Sequence, residues 1–194
     1  MKNLFYNMPK KNKTNEIIVG NTNNKMTLIF CHGLGDSPTS WIYFANEIKK
    51  NIKDIKIILL KAQDNNVSVN NGLIIPSWFD ILEIPITLNT INKTKYIDYS
   101  INMINNIINC EIERGIDLDK IFIGGFSQGA ALSLIFSQYK KYKLGGIIIL
   151  SGWVLDINSI YILKNININI PIFIGHGTND NVVLYENSEY LNSI

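Results

Sequence analysis

The chain has 194 residues, 46% of them apolar, with a formal net charge of +2 at neutral pH; this length and apolar content fit one folded domain over 1–194 and exclude general disorder. Lysines and acidic residues are interspersed, with no basic stripe or aromatic interleaving, which excludes a nucleic-acid-binding surface. The longest apolar runs fall far below the roughly 20 residues that span a bilayer, and the N-terminus carries no apolar signal core, so the expected compartment is cytoplasmic.

In chain order, residues 1–15 are expected to form a mobile, solvated tail. Lys2 stands where N-myristoylation requires Gly, and Lys10, Lys11 and Lys13 draw the tail only weakly to anionic lipid, at about 1 kcal/mol each. Short apolar runs then alternate with longer amphipathic segments, the pattern of parallel strands covered by helices. Strands are expected at 16–19, 26–31, 55–60, 120–124, 146–150 and 171–175; several are almost continuous Ile and Leu, as burial on both faces requires. The fold class is α/β, a mostly parallel sheet with helices on both faces. Ser37-Pro38 supplies an N-cap and a first-turn proline for a helix to about residue 50. A second helix runs from near Asn92 to Gly115, with Ile97, Ile101, Ile104 and Ile108 on one core-facing stripe. Cys31 and Cys110 have no metal or redox spacing and are expected to be buried or idle.

The stretch from Ile121 to Ala130 contains Gly125-x-Ser127-x-Gly129 between a strand and a helix, the setting that lifts a serine hydroxyl above a sheet as a nucleophile. Small residues at Gly125 and Gly129 relieve crowding at that turn, and Ser127 is expected in a strained backbone conformation. The backbone N–H of Gln128, at the helix start, faces a developing oxyanion. A second donor belongs to the loop after an early strand, His32-Gly33-Leu34-Gly35-Asp36, where the Leu34 N–H is the candidate and His32 fixes the loop. After the last strand, Asp180 has the chain order of an orienting carboxylate; its alternative role, capping a helix that starts near Val182, stays open.

These residues resemble the acyl-protein thioesterases and lysophospholipase-like carboxylesterases of the α/β-hydrolase superfamily. The resemblance rests on His32-Gly33-Leu34-Gly35-Asp36, Pro76-Ser77-Trp78-Phe79-Asp80, Gly124-Gly125-Phe126-Ser127-Gln128-Gly129, Leu150-Ser151-Gly152-Trp153, and His176-Gly177 with Asp180, and covers roughly residues 25–190. It implies Ser127 as nucleophile, Asp180 as the triad acid, and the N–H groups of Leu34 and Gln128 as the oxyanion hole. It further implies S-acylated proteins or lysophospholipids as substrates, with transient contact at a membrane surface. Trp78, Phe79, Leu82 and Leu88 fall where such enzymes border the acyl groove; core packing is the alternative for each. No metal or organic cofactor is implied, since the chemistry uses water, a serine and fixed dipoles.

The departure from the family pattern is the general base. The chain's two histidines, His32 and His176, both precede Asp180, and a further helix, strand and loops would need roughly 25 to 35 residues. The expectations are therefore an α/β-hydrolase whose last strand and helix are missing, and a serine without its histidine. Two functions follow: a serine esterase or thioesterase acting through an acyl-enzyme on Ser127, or a non-catalytic binder of acyl lipids or lipidated proteins.

Overall fold

In chain order the elements are β1 (Glu16–Val19), β2 (Met26–Cys31), α1 (Ile42–Asn51), β3 (Ile55–Leu60), β4 (Asp64–Val67), β5 (Leu73–Pro76), α2 (Ile97–Glu113), β6 (Ile121–Phe126), α3 (Gln128–Lys140), β7 (Gly146–Leu150), β8 (Ile172–Gly175) and α4 (Glu186–Ser193). This computed structural model describes residues 16–20, 23–91, 95–140, 142–155 and 170–194. The tail expected over 1–15 and the helix start expected near Asn92 lie outside them.

Six strands form one sheet in the order β1-β3-β2-β6-β7-β8. Only β1 is antiparallel to its neighbour; the other pairings are parallel. Period-2 alternation sorts each strand between two cores. Leu28, Phe30, Ile57 and Leu59 face α1 through Ala45 and partly buried Trp41, Phe44 and Ile48. Ile29, Cys31, Ile58, Leu60, Ile123 and Ile149 face the opposite layer, which includes Ile97, Ile101, Ile104 and Ile108 of α2 and Ala130, Ala131 and Leu134 of α3. This is the α/β-hydrolase arrangement. Beneath it, Lys56 of β3 and Glu111 of α2 form a buried ion pair, joined by Thr27 at 2.6 Å and Arg114 at 2.9 Å.

Four local expectations change. Residues 118–120 form a single 3-10 turn, so β6 starts at Ile121 and runs on through Phe126. Pro38–Trp41 is likewise a 3-10 turn that feeds α1. The β4–β5 hairpin was not anticipated, because its first strand, Asp-Asn-Asn-Val, has no apolar alternation; its signal is Asn71-Gly72, both at positive φ (55° and 77°). The helix expected near Val182 begins at Glu186, because Val183 in the preceding segment bridges Ile86. No helix among the described residues is long and apolar enough to cross a membrane.

Candidate active site

At the carboxyl end of β6 the chain reverses through Ser127, whose φ of 52° is in the left-handed region, a strained conformation for a non-glycine residue. Three backbone hydrogen bonds hold it: its N–H donates to Leu150 O at 2.8 Å, and its carbonyl accepts from Ala130 and Ala131 N–H at 3.0 and 3.1 Å. The close approach of α3 to β2 makes this geometry possible. A Cβ on Gly129 would stand 2.1 Å from Cys31 O, and one on Gly125 would stand 2.4 Å from the Gly129 carbonyl carbon. The Ser127 hydroxyl has no hydrogen-bond partner among the described residues and lines a cavity of about 260 Å³.

Cys31 is paired with Gly125, so the loop that follows β2 arrives beside the serine turn. A Cβ on Gly33 would lie 3.6 Å from Ser127 Cβ, which measures how near that loop runs. Asp36 anchors its far end: one carboxylate oxygen accepts from Ser37 N–H and Ser40 Oγ at 2.7 and 2.6 Å, the other from Trp41 Nε1 at 2.9 Å. Partial burial works to raise the Asp36 carboxyl, but these hydrogen bonds hold it below the usual carboxylate range. The backbone N–H groups of Leu34 and Gln128 have no protein partner among the described residues.

His32 is 1% exposed. Its Nδ1 is 2.7 Å from Gly33 O, and its Nε2 accepts from Ala62 N–H at 3.1 Å. Burial pushes this imidazole below its ordinary pKa, against the Gly33 hydrogen bond and the Asp36 carboxylate. The Gln128 side chain, fully buried, accepts from Trp78 N–H at 3.0 Å and donates to Phe79 O at 2.6 Å and Ser77 Oγ at 3.1 Å. Trp78 passes the tether on, donating from Nε1 to His32 O at 2.8 Å.

Asp180, in the loop after β8, reaches the same end of the sheet. Its Oδ1 accepts from Val182 and Val183 N–H at 2.9 and 3.0 Å, so it caps the backbone of the segment that follows. Partial burial raises its carboxyl, but those two donors, the Ser151 hydroxyl and His176 bring it below the usual range. Ser151, at φ 47°, donates its N–H to Gly175 O at 2.8 Å, tying the ends of β7 and β8. His176 does not turn toward Ser127: Nδ1 meets Ser188 Oγ at 2.5 Å, Nε2 meets Val183 O at 2.8 Å, and Asp180 Oδ2 lies 3.4 Å from Nε2.

The expected groove residues stand elsewhere. Trp78 and Phe79 are fully buried and pack in the core, and neither lines the cavity at Ser127. Leu82 and Leu88 are half-buried, and neither lines the cavity. The lining from the same segment is Ile81, Ile84 and Ile86, completed by Trp153, Val182 and Val183. The bridge decides this choice: Ile86 N–H donates to Val182 O at 2.8 Å and Leu184 N–H to Ile86 O at 3.0 Å, which turns Ile84 and Ile86 toward Ser127. Sequence reasoning found the segment but not the register. The parts played by Ser151, Trp153 and the Gln128 side chain have no local signal, because what they meet lies far along the chain.

Residues 12–193 match the phospholipase/carboxylesterase family of hydrolases. The chain belongs to that family. Among curated relatives, acyl-protein thioesterase 1 of Cryptococcus neoformans is 38% identical over 161 residues, covering 82% of this chain and 68% of that protein. Acyl-protein thioesterase 1 of Saccharomyces cerevisiae is 37% identical over 164 residues, covering 82% and 72%. The crystal structure of SOBER1 from Arabidopsis thaliana superposes with a TM-score of 0.78 at 30% identity, over 86% of this chain and 80% of that one. Zea mays acyl-protein thioesterase 2 gives 0.73 at 27% identity, over 90% and 80%. This phospholipase/carboxylesterase family member is thus a serine hydrolase of the α/β-hydrolase fold, and it presents its serine at the carboxyl ends of β2, β6, β7 and β8, where open α/β sheets bind ligands.

Proposed function

We propose that this serine hydrolase cleaves long-chain acyl thioesters and esters, with S-acylated proteins as substrates and lysophospholipids as an ester counterpart, in the cytosol. The observation that carries the reading is a serine hydroxyl at a positive-φ turn, opening on an apolar cavity and flanked by two backbone N–H groups, all three without a partner among the described residues. The names of the curated relatives support the thioester class. Exposed Ile84 and Val182 at the cavity support transient contact with a membrane surface from which an acyl chain enters.

Ser127 Oγ attacks the thioester carbonyl carbon, and the oxyanion accepts hydrogen bonds from Leu34 and Gln128 N–H, preorganised donors that strengthen as charge develops. The C–S bond then breaks, the leaving thiolate takes up the proton that Ser127 lost, and an acyl-serine remains. Water adds to that ester, releasing the fatty acid and restoring the hydroxyl. Asp180, held ionised by its donors, is the triad acid in this reading. The rings of His32 and His176 are engaged elsewhere, so neither of these two histidines is the general base for Ser127 in this reading.

The apolar lining of the cavity, with Ile81, Ile84, Ile86 and Trp153, also suits a second reading, a binder of acyl groups without turnover. Fatty acid release from an S-palmitoylated peptide, compared between the wild type and Ser127→Ala, separates them. Release abolished by the substitution upholds the hydrolase; equal release in both, with acyl binding retained, upholds the binder.

A further inference from the structure

Gly33 O and Leu34 N–H belong to one peptide unit, planar and trans, so the two groups point in opposite directions. Whatever holds the carbonyl therefore sets the direction of the N–H. The carbonyl is held twice, by His32 Nδ1 at 2.7 Å and by Asp36 N–H at 3.2 Å. The partners of the ring assign its protons. A carbonyl only accepts, so Nδ1 carries the hydrogen; Ala62 N–H only donates, so Nε2 is bare. His32 is locked as the neutral Nδ1–H tautomer between β2 and the segment after β3, with its own carbonyl pinned by Trp78 Nε1 at 2.8 Å and its ring 5.1 Å from the Trp78 ring.

We propose that His32 is a positioning residue for the reaction: its Nδ1–H fixes the Gly33 carbonyl and thereby aims the Leu34 N–H at the oxyanion. The inference rests on the oxyanion role proposed above for Leu34. A glycine-flanked peptide unit turns easily unless its carbonyl is held, and a preorganised donor is worth most when it need not reorient as charge develops. His32 itself touches no reacting atom.

Two substitutions divide the ring's contacts. The amide nitrogen of His32→Asn occupies the place of Nδ1 and still donates to Gly33 O, but leaves Ala62 N–H unpaired. The amide oxygen of His32→Gln reaches the place of Nε2 and keeps the Ala62 bond, but loses the Gly33 donor. With p-nitrophenyl butyrate as substrate, His32→Gln is expected to lower kcat by up to about 10²-fold with KM unchanged, since a donor effective only in the transition state is no longer held in aim. His32→Asn is expected to restore kcat to within roughly tenfold of wild type, although both variants lose one buried hydrogen bond and melt at similarly lowered temperatures. Equal losses of kcat in the two variants, following Tm, overturn the inference and leave the Ser127 chemistry intact. Equal turnover in the wild type and Ser127→Ala defeats the oxyanion reading itself, and the inference with it. A readout independent of activity is the ¹⁵N spectrum of the imidazole: protonation at Nδ1 is required, and an Nε2–H tautomer for His32 refutes the proposal.

Discussion

Replacing Gln128 by Leu tests how the serine turn is supported from below. The side chain is fully buried and serves three partners: Trp78 N–H at 3.0 Å, Phe79 O at 2.6 Å and Ser77 Oγ at 3.1 Å. Phe79 O keeps a second donor, Ser77 Oγ at 2.5 Å, so it is weakened and not orphaned. Ser77 likewise keeps that bond. Trp78 N–H is left with no partner, which costs about 1–3 kcal/mol for a buried amide, and each weakened group loses about 0.5–1.5 kcal/mol of net hydrogen bonding. Leucine is of similar volume and recovers part of this through apolar burial, so the expected loss is about 2–4 kcal/mol. For a domain of this size that lowers Tm by roughly 4–16 °C. Urea unfolding followed by tryptophan fluorescence reads the change directly, with the m-value required to stay constant. A loss below about 0.5 kcal/mol at constant m would refute the reasoning, since no buried orphan amide is that inexpensive. The backbone N–H of residue 128 survives the substitution, so any fall in acylation comes from movement of the Trp78 tether and the His32 loop.

Two further predictions concern the cavity and acid stability. Ile84→Trp at the half-exposed edge of the cavity is expected to shift preference toward shorter acyl chains, whereas Leu82→Asp and Leu88→Asp leave it unchanged; kcat/KM across p-nitrophenyl esters of increasing length checks this, and the opposite pattern refutes the lining described above. Asp36 and Asp180 both have lowered folded-state pKa values, so the stability they contribute is present above the ordinary carboxylate value and is lost as pH falls below about 3.9. Glu16 and Glu111, raised by burial, work in the other direction; the quantity to read is therefore the difference in urea midpoint between wild type and Asp36→Asn, which is expected to shrink below that pH and to stay constant if the Asp36 network is idle.

Much of this protein was written into local sequence. The strands 26–31, 55–60 and 146–150 matched because continuous Ile and Leu admit burial on two faces and few other conformations of that length. The Gly125-x-Ser127-x-Gly129 turn was legible because steric exclusion at Gly125 and Gly129 is a property of two backbones in contact, which only glycine permits. The helix stripe of Ile97, Ile101, Ile104 and Ile108 was legible from its period alone.

What needed the tertiary structure was every contact between segments distant in the chain. The lining of the cavity depends on a bridge between Ile86 and Val183, and a shift of one residue in such a pairing exchanges inward for outward side chains; nothing within residues 81–88 specifies that register. Trp78 and Phe79 were ambiguous because an aromatic residue near a site packs or binds according to what lies on its other side. The Gln128 side chain acquires its purpose only from the backbone at 77–79, and His32 from Ala62 and its own next carbonyl. Sequence determines which residues can make a strand, a sharp turn or a nucleophile, since those depend on neighbours along the chain; hydrogen-bond partners and cavity walls depend on neighbours in space, and only folding supplies them.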